Sequence, residues 1–301
     1  MLVPVLGAPT ASGKSSIALE LAERYDLEIV SADAMQVYRG MDIGTAKPTP
    51  AERHKVPHHL IDLVTPAEAF SVADFVREAE RVIGEVLGRG TLPLVVGGTG
   101  FYIRALTEGL PAAPPADPAE QAELWQVFEH DGLEPLLQEL ERASPEDAHR
   151  AQRNPRRVVR ALEVLRRTGK PPSAFGLRPP TYRFDKVVLL PTLEVLAPRI
   201  TSRTETMFAR GLVGEVEGLL QRYPKQLTAS QAIGYKEVVA YLQGQSSLEE
   251  TKTAVTLATR QYARRQRTWF AKEPHARRYP RLALEIEEEL LAWLAGLAQQ
   301  L

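Results

Sequence analysis

Cysteine is absent from all 301 residues, which excludes disulfides, thiolate zinc sites and cysteine nucleophiles and favours an intracellular setting. No apolar run reaches the roughly 20 residues of a membrane-spanning helix, and no secretory core precedes the first apolar strand. The expectation is a cytoplasmic protein without membrane contact. The dinucleotide fingerprint G-x-G-x-x-G is missing too, so Gly97-Gly98-Thr99-Gly100 reads only as a strand-end turn. Finally, no apolar strand ends in an acidic residue that could hold magnesium for ATP hydrolysis, because Leu92–Val96 runs into glycines.

Net charge is almost absent, at −1, but its distribution is uneven. Arg150 to Lys170 holds eight basic residues against Glu163, and Arg260 to Arg278 holds seven against Glu273. Asp117 to Asp147 carries ten acids against Arg142. A near-neutral chain with two concentrated basic segments is a candidate polyanion binder.

The run from Gly7 to Ser15, between an apolar start and an amphipathic helical segment, reads as a phosphate-binding loop. Backbone N–H groups, the positive end of the next helix and the Lys14 ammonium suit a diphosphate or triphosphate. The Ser15 hydroxyl is the expected Mg²⁺ ligand. Ala8 stands where the pattern places its first glycine, which is tolerable if the backbone keeps a negative φ.

Apolar runs at 2–6, 27–31, 92–96 and 186–190 alternate with helical patterns, which predicts parallel strands joined by crossover helices. Ser71 and Asp74 form a capping-box start for a helix through Leu87. Further helices are expected near 203–222 and 247–270, with a last amphipathic stretch to Leu301. The fold class is α/β, a P-loop NTPase-like parallel sheet flanked by helices. Residues 1–110 and 150–301 form its core, and 111–149 an inserted helical subdomain.

Asp33 sits one crossover from the phosphate loop, where a carboxylate can bind magnesium through water, accept a proton or cap a turn; Asp42 is the second candidate. Thr99 lies at the same sheet edge. Asn154-Pro155 opens a helix on which Arg156, Arg157, Arg160 and Arg167 share one face. With only Glu163 to pair with, these arginines call for an anionic partner, and loss of Arg160 is expected to flatten the salt dependence of that binding. Tyr262, Trp269 and Phe270 interleave with the second basic block, the last two as core residues. His58-His59 has no metal-ligand spacing.

Together these segments resemble the tRNA dimethylallyltransferases, also called tRNA isopentenyltransferases, over nearly the whole chain. The resemblance rests on Pro9-Thr10-Ala11-Ser12-Gly13-Lys14-Ser15, Ser31 to Lys47, Val56 to Asp62, Ser71 to Phe75, Val96 to Tyr102, Asn154 to Val164, Ala232 to Tyr235 and Ala258 to Gln266. It implies transfer of a dimethylallyl group from dimethylallyl diphosphate to N6 of adenosine 37 in tRNA, with Mg²⁺ and release of diphosphate. It implies that Ala8, Pro9, Thr10, Ala11, Ser12, Gly13, Lys14 and Ser15 hold the diphosphate, that Asp33 is the general base and that Thr99 positions the reactants. Asp33, Ala34, Met35, Gln36, Thr99, Gln121, Arg156, Arg157, Val158, Val159 and Arg160 then touch tRNA, and the inserted subdomain grips the anticodon stem. No obligate protein partner is expected, and the chain is read as a monomer.

Two departures stand out: Gln121 replaces a basic tRNA contact, and Ala34 replaces a serine. The competing readings are an adenylate isopentenyltransferase, a P-loop kinase or NTPase, and a non-catalytic RNA binder with a vestigial loop. Removal of Asp33 separates the binder from the enzymes.

Overall fold

A computed structural model describes residues 2–224 and 231–298. From the first apolar run the chain passes through β1 (Leu2–Gly7), α1 (Lys14–Tyr25), β2 (Glu28–Ala32), α2 (Pro50–Lys55), β3 (His58–His59), α3 (Val72–Gly88), β4 (Pro93–Gly97) and α4 (Gly100–Glu108). A second group follows: β5 (Leu110–Pro111), α5 (Pro118–Asp131), α6 (Glu134–Ala143), α7 (Pro145–Ala151), α8 (Pro155–Thr168) and β6 (Leu177–Arg178). The chain then continues through β7 (Arg183–Leu189), α9 (Leu193–Ala209), α10 (Leu212–Arg222), α11 (Tyr235–Leu242), α12 (Leu248–Phe270), β8 (Ala276–Tyr279) and α13 (Glu287–Ala298).

The six long-range strands pair in parallel in the order β3-β2-β4-β1-β7-β8. Both faces of this sheet are covered, which is why β1 and β4 read as continuous apolar runs and β2 as a mostly apolar one broken by Glu28 and Ser31. Ile17, Leu21, Trp293 and Leu294 from α1 and α13 pack on one face. Phe75, Ile83 and Ile103 from α3 and α4, with Phe270, pack on the other. The α/β expectation and the Ser71–Asp74 capping box both hold.

Two expectations change. The helix expected at 203–222 is two helices, because Gly211 turns left-handed at φ 95° between α9 and α10. Its first member begins at Leu193 and carries Pro198 in its second turn. Strands β3 and β8 had no apolar signature, the first having two residues and the second being an edge strand with Arg277 and Arg278 exposed.

The chain divides into two compact units, one up to Thr107 and again from Thr181, the other Glu108–Pro180. The smaller unit is wider than the insert expected at 111–149. The arginine-bearing α8 belongs to the smaller unit, because its apolar residues Val158, Val159, Ala161 and Leu162 share a core with Leu124 of α5 and Leu136, Leu137 and Leu140 of α6.

Candidate active site

Open parallel sheets bind ligands beyond the carboxyl ends of their strands, and the loops after β1, β2 and β4 meet there. The loop after β1 turns through two left-handed residues, Ala11 at φ 63° and Gly13 at φ 87°. Gly13 caps α1 without a side-chain bond, which leaves the first N–H groups of that helix open to an anion. Ala8 is fully buried and outside the left-handed region, so its methyl group brings no backbone strain.

Later segments pin this loop. Thr10 N–H donates to Gln266 Oε1 at 2.9 Å, Arg199 Nε donates to Ala11 O at 2.7 Å, and Ala283 N–H donates to Ser12 O at 3.2 Å. Gln266 Nε2 also donates to Gly98 O at 2.8 Å, so one side-chain amide ties the loop after β1 to the turn after β4. Ala8 N–H is spent on Gly97 O, and Pro9 has no N–H. Of the eight residues expected to hold a diphosphate, those from Ala11 to Ser15 therefore keep amides for it.

Lys14, Ser15, Asp33, Ala34, Met35, Gln36 and Thr99 come together in one cleft of about 320 Å³. Sequence reasoning missed several of its other residues, including Arg203 of α9, and Arg265 and Gln266 of α12. Among the described residues lining it, Asp33 is the sole acid and Lys14, Arg203 and Arg265 are the cations. Burial lowers the Lys14 pKa to about 8; Asp33 opposes this shift and Arg203 adds to it. Burial likewise pulls Arg203 below its ordinary value against the attraction of Asp33. Such a site holds desolvated positive charge in excess of its one carboxylate, a balance that suits an anionic ligand.

Asp33 is fixed by its own turn: Oδ1 accepts Met35 N–H at 2.9 Å and Gln36 N–H at 3.4 Å. Capping and chemistry are thus compatible roles, one for each carboxylate oxygen. Thr99 Oγ1 accepts Ala34 N–H at 3.0 Å. Thr99, two residues past β4, therefore holds the Asp33 turn. Tyr262 of α12 lines the same cleft, and burial, with Asp33 adding to it, raises its phenol pKa to about 12. The second candidate carboxylate, Asp42, is spent on Lys47 at 2.6 Å. His59 pairs with Glu28 and His58 with Val56 O, and no metal-binding group of three or more His, Cys, Asp or Glu occurs among the described residues.

The IPP transferase family model matches residues 36–273, and the isopentenyl transferase model residues 1–63. A tRNA dimethylallyltransferase of Thermus thermophilus is 59% identical over 272 residues, covering 90% of both chains. The chain belongs to the tRNA dimethylallyltransferase family. A Deinococcus radiodurans tRNA dimethylallyltransferase is 48% identical, again over 90% of both chains. The full-length tRNA isopentenylpyrophosphate transferase of Bacillus halodurans superposes with a TM-score of 0.73 at 36% identity, covering 99% of this chain and 97% of that one. A eukaryotic dimethylallyltransferase acting on tRNA gives a TM-score of 0.74 at 29% identity, over 89% of this chain and 69% of that one.

The smaller unit of this tRNA dimethylallyltransferase-family chain revises the reading of α8. Val158 and Val159 are 0% and 1% exposed, so their side chains pack inward and cannot touch RNA. Glu163 is also fully buried and engages more of the helix than its single charge implied. It accepts from Arg160 at 2.6 Å, Arg167 at 3.0 Å, Gln121 Nε2 at 2.8 Å and Asp117 N–H at 2.8 Å. Burial opposes its ionisation, but the bonds from Arg160, Gln121 and Asp117 hold its carboxyl below the usual range. Arg160 and Arg167 also reach Pro114 O and Pro115 O, and Arg157 reaches Arg150 O and Gln152. Arg156 is exposed and, among the described residues, without a partner.

A sequence signal for the missed residues exists. Leu196, Ile200, Arg203, Thr204 and Met207 share one stripe of α9, and an arginine inside an otherwise inward-facing stripe marks a buried cation. Gln266 does the same between Tyr262 and Phe270 on α12.

Proposed function

We propose that this chain transfers the dimethylallyl group of dimethylallyl diphosphate to N6 of adenosine 37 in tRNA, releasing diphosphate. Membership of the family makes it an enzyme that transfers a dimethylallyl group to tRNA. The observation that carries the finer reading is the pair of desolvated cations, Lys14 and Arg203, facing Asp33 across one cleft. A cation pair beside a helix N-terminus suits a diphosphate, and a carboxylate beside them suits an amine that must lose a proton as it attacks.

In this reaction N6 bonds to the allylic C1 while the C1–O bond to diphosphate breaks, and the N6 proton passes to Asp33. Lys14, Arg203 and the amides from Ala11 to Ser15 take up the charge that collects on the departing diphosphate. Thr99 and the Met35 and Gln36 amides keep Asp33 aimed. An exocyclic amine is hidden in a stacked loop, so the adenosine is extruded into the cleft. Arg156 supplies phosphate attraction from the smaller unit, which binds the anticodon stem-loop.

Mg²⁺ fits the residues present. Ser15 and Asp33 both line a second, polar cavity of about 40 Å³, together with Ser31 and Gln36. The Ser15 hydroxyl would hold the ion, with Asp33 acting through water, and the bound ion would neutralise charge on the diphosphate.

The test is incubation with Mg²⁺ and labelled dimethylallyl diphosphate, in parallel with unmodified tRNA and with AMP, ADP and ATP. Label in tRNA alone is expected. Label in nucleotide alone would make the chain an adenylate isopentenyltransferase, and nucleotide hydrolysis without label transfer would make it an NTPase.

A further inference from the structure

One wall of the cleft is built on an anion-binding nest that the chain fills with its own side chain. Three successive backbone N–H groups, those of Asp42, Ile43 and Gly44, converge on the Glu215 carboxylate of α10 at 3.0, 2.7 and 3.2 Å. Runs of backbone N–H groups of this kind bind anions. The phenol of Tyr235, the first residue of α11, donates to the same carboxylate at 2.6 Å. Its ring lies so close to the turn that a Cβ on Gly44 would fall 2.4 Å from it. Gly44 is thus required by contact with an aromatic face, and the turn, Glu215 and Tyr235 form one interlocked unit.

This unit reaches the reacting groups by a short chain of contacts. Gly44, Thr45, Ala46 and Tyr235 line the cleft, and Glu215 does not. Gln36 Nε2 donates to Thr45 O and Ala46 O at 3.4 Å each, and Ser31 Oγ donates to Gln36 Oε1 at 3.0 Å. Gln36 N–H in turn meets Asp33 Oδ1. The far end of the loop is fastened separately, since Lys47 Nζ donates to Tyr38 O, Asp42 Oδ1 and Asp62 Oδ1 at 2.6–2.7 Å. Loss of Glu215 therefore loosens the wall while Lys47 retains the loop.

We propose that Glu215 is a positioning residue, which fixes the Gly44–Ala46 wall of the cleft through the Asp42–Gly44 nest and Tyr235 and so sets the fit of the substrates without touching them. This inference rests on the function proposed above. A wall that shapes binding but leaves Asp33, Lys14 and Arg203 in place acts on KM more than on kcat.

The test compares E215A with E215Q. In E215A the nest is open, and KM for tRNA is expected to rise about tenfold with kcat within about threefold of wild type. Sodium acetate, matched against sodium chloride for ionic strength, refills the nest, restores KM and raises the melting temperature of E215A but not of wild type. In E215Q the amide occupies the same space without a charge, so KM rises and acetate has no effect. Wild-type KM values in both variants would overturn the proposal, as would an E215A defect that acetate leaves unchanged in both kinetics and melting. Should E215A fail to fold, the KM of E215Q decides. Failure of the wild-type enzyme to label tRNA would instead overturn the proposed function, and acetate-dependent melting of E215A would still judge the nest.

Discussion

Replacing Lys14 with methionine is expected to make the ligand-free protein more stable while abolishing diphosphate binding. In the folded chain the ammonium ionises with a pKa of about 8, against 10.5 for the free side chain, chiefly because burial disfavours the charged form. A folded-state pKa below the unfolded one means that the charged lysine costs stability. That cost is fully present below about pH 8 and is relieved as pH rises from 8 to 10.5, where the unfolded chain alone still binds the proton. The gap of about 2.5 pH units at 1.36 kcal/mol each sets a ceiling of about 3 kcal/mol. Lys14 is only half-buried, and solvent screening brings the expectation to about 1–2 kcal/mol. Methionine keeps the stem and removes the charge, so at pH 7, without metal or diphosphate, the variant should melt roughly 2–5 °C higher. The advantage should fade by pH 10.5, and diphosphate should raise the melting temperature of wild type alone. A variant that melts below wild type at pH 7, or a difference that does not change with pH, would refute the reasoning.

Asp33→Asn should cut transfer by a factor of about 10²–10⁴ with little change in tRNA affinity, because an asparagine Oδ1 still accepts the Met35 and Gln36 amides; single-turnover labelling and filter binding separate the two. Arg156→Ala should lower the log–log salt slope of tRNA binding by about one. Arg160→Ala should leave that slope intact and instead cost about 1–3 kcal/mol in denaturant unfolding, since it strips a partner from buried Glu163. This reverses the expectation from sequence, and equal slopes for Arg156→Ala and wild type would remove that residue from the interface. Gln266→Ala leaves the Thr10 N–H and Gly98 O without their shared partner, and KM for dimethylallyl diphosphate should rise severalfold in steady-state assays.

The parallel sheet was legible because β1, β2 and β4 are buried on both faces and so are largely apolar, β2 alone carrying polar residues, Glu28 and Ser31. Asp33, Lys14 and Thr99 were legible because each sits at a strand end or a loop of fixed chemistry. Arg203 and Gln266 were not, since they lie on long helices far along the chain and reach the cleft only through tertiary packing. The partners of the α8 arginines were hidden for a related reason: counting charges along the helix showed a net excess, but it could not show that Glu163, fully buried, accepts from Arg160 and Arg167, which also reach the Pro114 and Pro115 carbonyls. Val158 and Val159 follow from the same helix seen from inside.

The pins on the phosphate loop impose an order on synthesis. The loop occupies residues 8–15, yet it is tied down by Arg199, by Gln266, 256 residues beyond Thr10, and by Ala283. In a nascent chain residues 8–15 emerge before residues 199, 266 and 283, so the loop leaves the ribosome without the contacts that pin it. On the function proposed above, competence to bind the small anionic substrate then waits for residues 199, 266 and 283, and a chain cut off before residue 266 lacks the Gln266 tie to Thr10.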